Sequence, residues 1–239
     1  MNTSDIDKPT IEPRWFKLFA MIESKFEASN IASEKWYLTT LSAIATISES
    51  HLCGQLYLYL TSQHAHSTTT ARWKLIRRMR ETLFKDIALL GPNPQRHSSV
   101  SPKSCPRKMG NVPSPEKAGS ATMQIMRAAW IVYAHNTSSL FGLFEQHPDF
   151  GFWLADITDG LLLSDRQVLD DVNTEMVVLP ALMGQDMPRM IYWHIRGTRR
   201  LGISKEDVQM VMECVHLVVE ACGVTLMQVP SVDDVDGDL

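Results

Sequence analysis

One short block of the chain holds two side chains that together could move a proton. Residues 175–194 read EMVVLPALMGQDMPRMIYWH, so the block begins with Glu175 and ends with His194. An imidazole gives or takes a proton near neutral pH, and a carboxylate bonded to one ring nitrogen fixes its tautomer. If the two side chains meet, Glu175 would orient His194 as a general acid or base.

Both residues also have a structural interpretation. A histidine that follows Tyr192 and Trp193 on an apolar helix is often a hydrogen-bonded core residue. Glu175 could be an early helix residue favoured by the helix dipole, or the salt-bridge partner of Arg196. The residues alone leave the catalytic and the structural interpretations open.

The four cysteines are Cys53, Cys105, Cys214 and Cys222. They form no CxxC pair and no metal-ligand spacing, and four in 239 residues do not make a disulfide framework. Cys214 and Cys222 lie too far apart on one predicted helix to bridge each other. Reduced thiols and no metal site are therefore predicted.

Other candidates are weaker. His51 and Cys53 are two residues apart on a predicted helix, a spacing that points their side chains in different directions. His64 and His66 form an HxH pair that an exposed polar turn explains as well as a metal does. A basic helix face holds Arg72, Arg77, Arg78 and Arg80. That face is either solvated or an anion site for a carboxylated substrate.

The elements that must position these residues are predicted to be helices, which makes the fold class all-α. Apolar residues recur at helical spacing from Pro13 to Glu27, where Pro13 suits a first turn. Further helices are predicted from a Ser33 cap, from Ser50, and from Thr68 to a stop at Gly91.

The second half predicts a helix from about Ser120 to Tyr133 and a short helix that ends at Gly160. The final block predicts helix, turn, helix, turn, helix, with a cap formed by Ser204 and Asp207. The predicted helix stops are Gly184, Gly202 and Gly223.

The domain organisation follows from these elements. Residues 1–12 are predicted to be a loose tail and 13–91 an N-terminal helical unit. Residues 92–119, rich in proline and serine, are a linker or a lid, with a linker favoured. Residues 120–227 form the C-terminal core, and 228–239 an acidic, frayed tail.

The two predicted units show a weak internal repeat of the same helix pattern. The segment WYLTTLSAIATISESHLCGQLYLYL and the segment EMVVLPALMGQDMPRMIYWHIRG are each followed by a long predicted helix. Two stacked copies of one helical unit would cover each other's apolar faces. We therefore expect two pseudo-repeated units joined by a long loop.

The composition and charge of the chain argue against two classes of function, nucleic-acid binding and membrane association. A net charge of −4 and a pI near 6.1 leave no positive excess for a phosphate backbone, so nucleic-acid binding is not expected. There is no run of 18 apolar residues and no leader-like start. We expect a cytoplasmic protein with no membrane partner.

The block from Glu175 to His194 resembles the signature of the alkylhydroperoxidase D/carboxymuconolactone decarboxylase superfamily. In its peroxidase branch a glutamate is followed by eleven residues, CxxC, three residues and a histidine. Glu175 and His194 match the two outer positions, and Met187 and Met190 occupy the cysteine positions. The following IRG and GISKEDV also resemble the family, most closely its filamentous-fungal members. The resemblance is good over 160–223 and vague over 13–91.

The resemblance implies an alkylhydroperoxidase D-like helical fold in which the glutamate and the histidine face one pocket. A thioether cannot replace an attacking thiolate, so the peroxidase mechanism is not expected. A thiol-independent lyase or isomerase, of decarboxylase, isomerase or cyclase type, is expected instead. Its substrate would be a small acidic or lactone-like metabolite of secondary metabolism, with no cofactor. Homo-oligomers, from dimers to larger rings, are also implied.

In this interpretation Glu175 and His194 are catalytic. The expected substrate-binding residues are Trp153, Met187, Met190, Tyr192, Trp193 and Arg196. Two alternatives stay open: a peroxidase that uses cysteines outside the motif, and a non-catalytic binding member of the superfamily.

Overall fold

The protein is helical in the residues that the computed structural model describes, which are 10–47, 49–90, 153–235 and 237. No strand occurs among them, so the predicted all-α class is confirmed. The α-helices are α1 (Pro13–Glu27), α2 (Trp36–Thr46), α3 (Ser50–Ser62), α4 (Thr69–Leu90), α5 (Asp171–Gly184), α6 (Pro188–Arg200) and α7 (Lys205–Ala221). Short 3-10 turns lie at Ser33–Lys35 and His64–His66, and a π-helix spans Trp153–Leu163.

Several predicted features lie outside these residues, namely the linker or lid at 92–119, the helix from Ser120 to Tyr133 and the stop at Gly91. The short helix predicted to end at Gly160 is the π-helix, which continues to Leu163.

The first helix buries the face that its apolar spacing predicts. Pro13 occupies the first turn, where its missing N–H has no partner to lose. The buried side chains are Trp15, Leu18, Phe19, Ile22 and Phe26. Phe16, an apolar residue of the same segment, is 48% exposed and packs edge-on against Tyr59.

Two short helices, α2 and α5, form the centre of the molecule. α2 is buried from Trp36 to Ala45 and α5 from Asn173 to Met183, and each packs against the other. A helix that is apolar all round cannot face water on any side. α4 and α7 flank this central pair, and each contacts both of its members.

Pro180 lies inside α5 and has no N–H for the carbonyl of Met176, four residues earlier. Two hydroxyls of α2 donate to α5 at this level. Thr39 Oγ1 lies 3.2 Å from the Met176 carbonyl oxygen, and Ser42 Oγ lies 2.7 Å from that of Val177. Because a buried carbonyl without a donor is costly, the Thr39 hydroxyl makes the proline tolerable.

The close approach of α2 and α5 depends on Gly184. A Cβ built at this position would lie 2.3 Å from Thr46 Cγ2, which is closer than two carbon atoms can pack. Gly184 ends α5 as predicted, but it serves the helix contact and not a left-handed turn.

Local signals set the other helix ends. Gly202 and Gly223 have φ angles of 89° and 75°, so both predicted stops are confirmed as left-handed turns after α6 and α7. Ser204 Oγ accepts the Asp207 N–H at 3.0 Å and caps α7. The predicted Ser33 cap is wrong, because a 3-10 turn precedes α2 and Ser33 makes no capping bond.

The described helices of both predicted units share one hydrophobic core. Val232 and Val235 join it, so the predicted fraying does not extend to these two residues, whose burial removes apolar surface from water. α2, α3 and α4 follow the same order of two short helices and a longer one as α5, α6 and α7. The pseudo-repeat itself stays a prediction.

Among the described residues, none of the helices combines the length and the apolar character needed to cross a membrane.

Candidate functional site

The structure brings Glu175 and His194 into contact. Glu175 lies in the second turn of α5 and His194 in the middle of α6, and the turn between these helices folds one onto the other. Glu175 Oε2 lies 3.0 Å from His194 Nδ1, and both residues are 4% exposed. Because a carboxylate accepts, Nδ1 carries the hydrogen of this bond.

The turn that joins α5 to α6 is itself held in place. Asp186 has a φ of 54°, a conformation that aspartate tolerates better than most residues. Its carboxylate accepts the backbone N–H groups of Met227 at 3.1 Å and of Gln228 at 2.8 Å. The segment after α7 therefore holds the turn that leads from α5 into α6.

Thr198 adds a third polar group, which the sequence analysis did not identify. It stands one helical turn after His194, and its hydroxyl donates to the His194 carbonyl at 2.8 Å. The same oxygen lies 3.4 Å from Glu175 Oε2. The four-residue spacing from His194 could have indicated this neighbour, because such residues share a helix face.

Asp159, on the π-helix, is the second residue that the sequence did not reveal. The residue is 7% exposed, and its carboxyl makes no hydrogen bond to another described residue. Burial raises the pKa of this carboxyl to about 7; the positive charge of His194 acts against that shift and the negative charge of Glu175 adds to it. Asp159 thus lies within electrostatic range of the Glu175–His194 pair.

A small apolar cluster lies on α6. Trp193 is buried and packs against Met190, Tyr192 and Leu154, the last of these on the π-helix. Three of the predicted lining residues therefore lie together on the helix that carries His194. Whether they bind a substrate stays a prediction.

Trp153 and Met187, two further predicted substrate-binding residues, are exposed to solvent. Trp153 is 61% exposed, because consecutive residues of a helix point in different directions and its neighbour Leu154 faces α6. Met187, at the start of α6, is 41% exposed. Neither side chain is enclosed beside the pair.

Arg196 does not form the salt bridge with Glu175 that the structural interpretation allowed, since Glu175 bonds His194 and Thr198. Two residues beyond His194 on α6, Arg196 points away from that contact. Its side chain is fully buried, with the guanidinium 6.0 Å from the Tyr192 ring centre.

The described cysteines offer no activated thiol. Cys53, Cys214 and Cys222 are free of disulfides, and Cys53 and Cys214 are buried. Burial raises the pKa of Cys214 to about 12 and also raises that of Cys222. Since the thiolate is the nucleophile, both thiols are poorly suited to attack a peroxide.

The weaker candidates do not assemble into sites. His51 is exposed and bonds Glu49 Oε2 at 3.2 Å, whereas Cys53 is buried in the core. The carbonyl of His66 accepts from Arg72 at 2.9 Å. In the described ranges, no three His, Cys, Asp or Glu side chains are grouped so that they could share a metal ion.

Part of the chain is similar to a known protein. The chain is similar to "Peroxisomal protein 2" of Saccharomyces cerevisiae (strain ATCC 204508 / S288c), with 26% identity over 90 residues. This match covers 38% of the chain and 32% of the yeast protein, about a third of its length. No family model matches the chain, and no solved structure matches it significantly.

Proposed function

We propose that the chain is a thiol-independent acid–base enzyme, similar to the carboxymuconolactone decarboxylase branch of its superfamily. The observation that carries this proposal is the buried contact between Glu175 and His194. A buried carboxylate bonded to an imidazole is a poor source of stability, because the cost of desolvating the carboxylate offsets much of what the bond contributes. Its retention between two helices is better explained by proton transfer.

The mechanism follows from the tautomer. With Nδ1–H bonded to Glu175, Nε2 accepts a proton from a substrate C–H or O–H, and the carboxylate stabilises the imidazolium that forms. The same proton then returns to another atom of the substrate or to its leaving group. Thr198 limits the movement of the carboxylate.

The substrate class comes from the resemblance and from the surroundings of the pair. A small acidic or lactone-like metabolite suits an apolar wall of Trp193, Tyr192 and Met190 with one proton-transfer group beside it. Decarboxylation, isomerisation and cyclisation all need such a proton step. A role in secondary metabolism is part of the same proposal.

The test is proton exchange, which does not need the exact substrate to be known. Purified protein is incubated in D2O with a panel of small lactones and carboxylic acids, and mass spectrometry follows deuterium uptake and loss of CO2. We expect uptake or CO2 loss for at least one compound, reduced about 10²-fold or more by His194→Gln. His51→Gln, an exposed histidine, is the control and should behave like the wild type.

Unchanged turnover in a folded His194→Gln protein would reject the proposed role. Peroxide-dependent loss of free thiols with turnover would instead favour the peroxidase alternative. Absence of turnover across the panel, together with tight binding of one compound, would favour the non-catalytic alternative.

Assembly and compartment are separate proposals. We propose a homo-oligomer, to be measured by light scattering after gel filtration, with a monomeric mass as the contrary result. We propose the cytoplasm as the compartment. The name of the yeast relative makes the peroxisome the alternative, and imaging of the tagged chain beside a peroxisomal marker decides between them.

A further inference from the structure

The exposed side of α4 combines positive charge with aromatic rings. Trp73 is 41% exposed and Phe84 is 47% exposed. Glu81, the one acidic residue between Arg72 and Phe84, is half-buried. Every exposed residue in this stretch is basic or aromatic, namely Arg72, Trp73, Lys74, Arg77, Arg80 and Phe84. Because the whole chain has a net charge of −4, this basic face differs in sign from the molecule as a whole.

Four of these residues form one straight stripe along the helix. Successive residues of an α-helix are turned by about 100° and rise by about 1.5 Å. Trp73 and Phe84, eleven positions apart, therefore point within about 20° of each other and lie about 16 Å apart along the axis. Arg77 and Arg80 stand between them, within about 40° of the direction of Trp73. A stripe of this form can contact a flat surface along its whole length.

The opposite side of α4 is held in the core. Met79 and Leu83 are buried there, and α4 packs against α2, α5 and the π-helix. Lys85, a buried lysine of α4, donates from Nζ to the carbonyl oxygens of Leu162 at 2.9 Å and of Leu163 at 2.7 Å, at the end of the π-helix. These contacts fix the rotation of α4 about its axis, so the basic face points away from the core.

The positive charge of this face is not neutralised by the described side chains around it. Arg72 donates to the carbonyl oxygen of His66, a neutral partner, at 2.9 Å. Lys74 and Arg77 form no ion pair with a described carboxylate. An anionic partner would therefore meet two cations that no described acidic side chain already binds.

The arrangement of the face favours a membrane surface over other anionic partners. A nucleic-acid site needs a larger positive excess than four cations on an acidic chain. A stable protein interface buries about 1,200 Å² or more around a continuous apolar centre, whereas arginines separate Trp73 from Phe84. At a bilayer surface, single aromatic rings enter the headgroup region, and arginine and lysine side chains bind lipid phosphates beside them.

We propose that the exposed face of α4 binds the surface of a bilayer that contains anionic phospholipids. Trp73 and Phe84 enter the headgroup region, and Lys74 and Arg77 contact the phosphates. Binding of this kind needs no apolar helix long enough to cross the bilayer, which is the feature whose absence argued against a membrane partner. It is independent of the proposed function, because Glu175 and His194 lie on other helices.

The strength of the contact follows from its charges and rings. Each cation near an anionic bilayer strengthens binding about fivefold. With two aromatic rings added, we expect a partition constant on the order of 10⁴ M⁻¹, similar to that of a single myristoyl chain. The association is therefore reversible and sensitive to salt.

Co-sedimentation of the full chain with lipid vesicles tests the proposal. Vesicles of phosphatidylcholine with about 30% phosphatidylserine are compared with vesicles of phosphatidylcholine alone, and binding is expected only to the anionic vesicles. Binding should fall about tenfold or more when the ionic strength rises from about 0.05 M to about 0.5 M. Inorganic phosphate, compared with sodium chloride at equal ionic strength, should not displace the protein.

Matched variants separate the place of a charge from the total charge. Arg77→Glu should lower the partition constant about 25-fold, because a cation is lost and an anion is gained at the surface. Lys17→Glu, at an exposed position of α1, changes the net charge by the same amount and should lower it less than about twofold. Lys74→Glu replaces Arg77→Glu if that protein does not fold.

The aromatic residues are tested in the same way. Trp73→Ser should lower the partition constant about tenfold, because the ring no longer leaves water. Phe16→Ser, which removes an exposed ring of α1, is the control and should bind like the wild type. Lipids with brominated acyl chains quench a nearby indole, so vesicles of this kind should quench the wild type but not Trp73→Phe.

Four results would overturn the proposal. The first is absence of binding to anionic vesicles at low salt, and the second is an equal loss of binding in Arg77→Glu and Lys17→Glu, which would show a response to net charge alone. The third is quenching that persists in Trp73→Phe, because another surface would then face the bilayer. The fourth is full displacement by inorganic phosphate, which would indicate an ion site and not a membrane surface.

Discussion

Helix α5 buries polar groups on two sides, and the two sides use different chemistry. Toward α2, its carbonyls accept from the hydroxyls of Thr39 and Ser42. Toward α6, Glu175 meets His194, with the Asp159 carboxyl within electrostatic range. Neutral hydroxyl donors satisfy fixed carbonyls at modest cost, whereas buried ionisable groups carry large desolvation costs. The hydroxyl bonds on the α2 side therefore stabilise the helix pair, whereas the α6 side bears the groups that we propose for proton transfer.

The largest expected effect is on the free energy of unfolding, and it comes from replacing Asp159 on the α6 side of α5. The raised pKa of Asp159 means that the folded state binds a proton more tightly than the unfolded state between pH 3.8 and about 7. The contribution of this group to stability therefore falls as pH rises through that window. Asp159→Asn should stabilise the protein at pH 8, by up to about 4 kcal/mol, and change little at pH 4.

Urea unfolding at the two pH values measures this difference. Asp234→Asn is the matched control, because backbone and side-chain bonds to Ser231 lower the pKa of that exposed aspartate and its pH dependence has the opposite sign. A variant that loses stability equally at both pH values would show that Asp159 belongs with the structural polar groups.

The second effect concerns turnover. Glu175→Gln keeps the shape of the side chain but removes the charge that stabilises an imidazolium at His194. Turnover should fall about 10²-fold, or about 2.7 kcal/mol in the barrier. The deuterium-exchange assay measures it. Glu213→Gln, which removes an exposed partner of Lys25, should leave turnover unchanged. Equal activity of the two variants would contradict an orienting role for Glu175.

The third effect tests the α2 side. Ser42→Ala removes the donor to the Val177 carbonyl and a group 2.9 Å from Asp86 Oδ1. Removal of a buried hydroxyl that bonds a carbonyl and lies beside a carboxylate oxygen costs about 1–3 kcal/mol of unfolding free energy. Thermal or urea unfolding measures it, and Ser62→Ala, at an exposed position, is the control. Unchanged stability of the Ser42→Ala protein would contradict a stabilising role for the hydroxyl bonds between α2 and α5.

The smallest effect concerns the contact that lets α2 and α5 approach. Gly184→Ala should destabilise by about 1 kcal/mol or more, because Thr46 must move to admit the new methyl group. Gly54→Ala meets no atom within 4 Å and should instead stabilise by up to about 1 kcal/mol, since alanine favours a helix. The difference between the two unfolding free energies is the measurement. The same sign for both would remove Gly184 as a determinant of packing.

Some of these features could be anticipated from local sequence. Gly202, Gly223 and the Ser204 cap follow from the backbone chemistry of a few neighbouring residues, and the buried face of α1 follows from its periodicity. Asp159 could not be anticipated, because its importance depends on residues that approach it from α5 and α6. Likewise, nothing near Lys85 in the sequence indicates that its partners are carbonyls of the π-helix.

The sequence by itself determined the all-helical class, most helix ends and the two residues, Glu175 and His194, that could share a proton. Only the tertiary structure decided that these two side chains touch, that Leu154 and not Trp153 faces α6, and that Arg196 points elsewhere. The physical reason is the separation along the chain over which each effect acts. Helix formation and capping are set by neighbours within a turn or two, whereas the pKa and the partners of a buried group are set by whatever the rest of the chain packs against it.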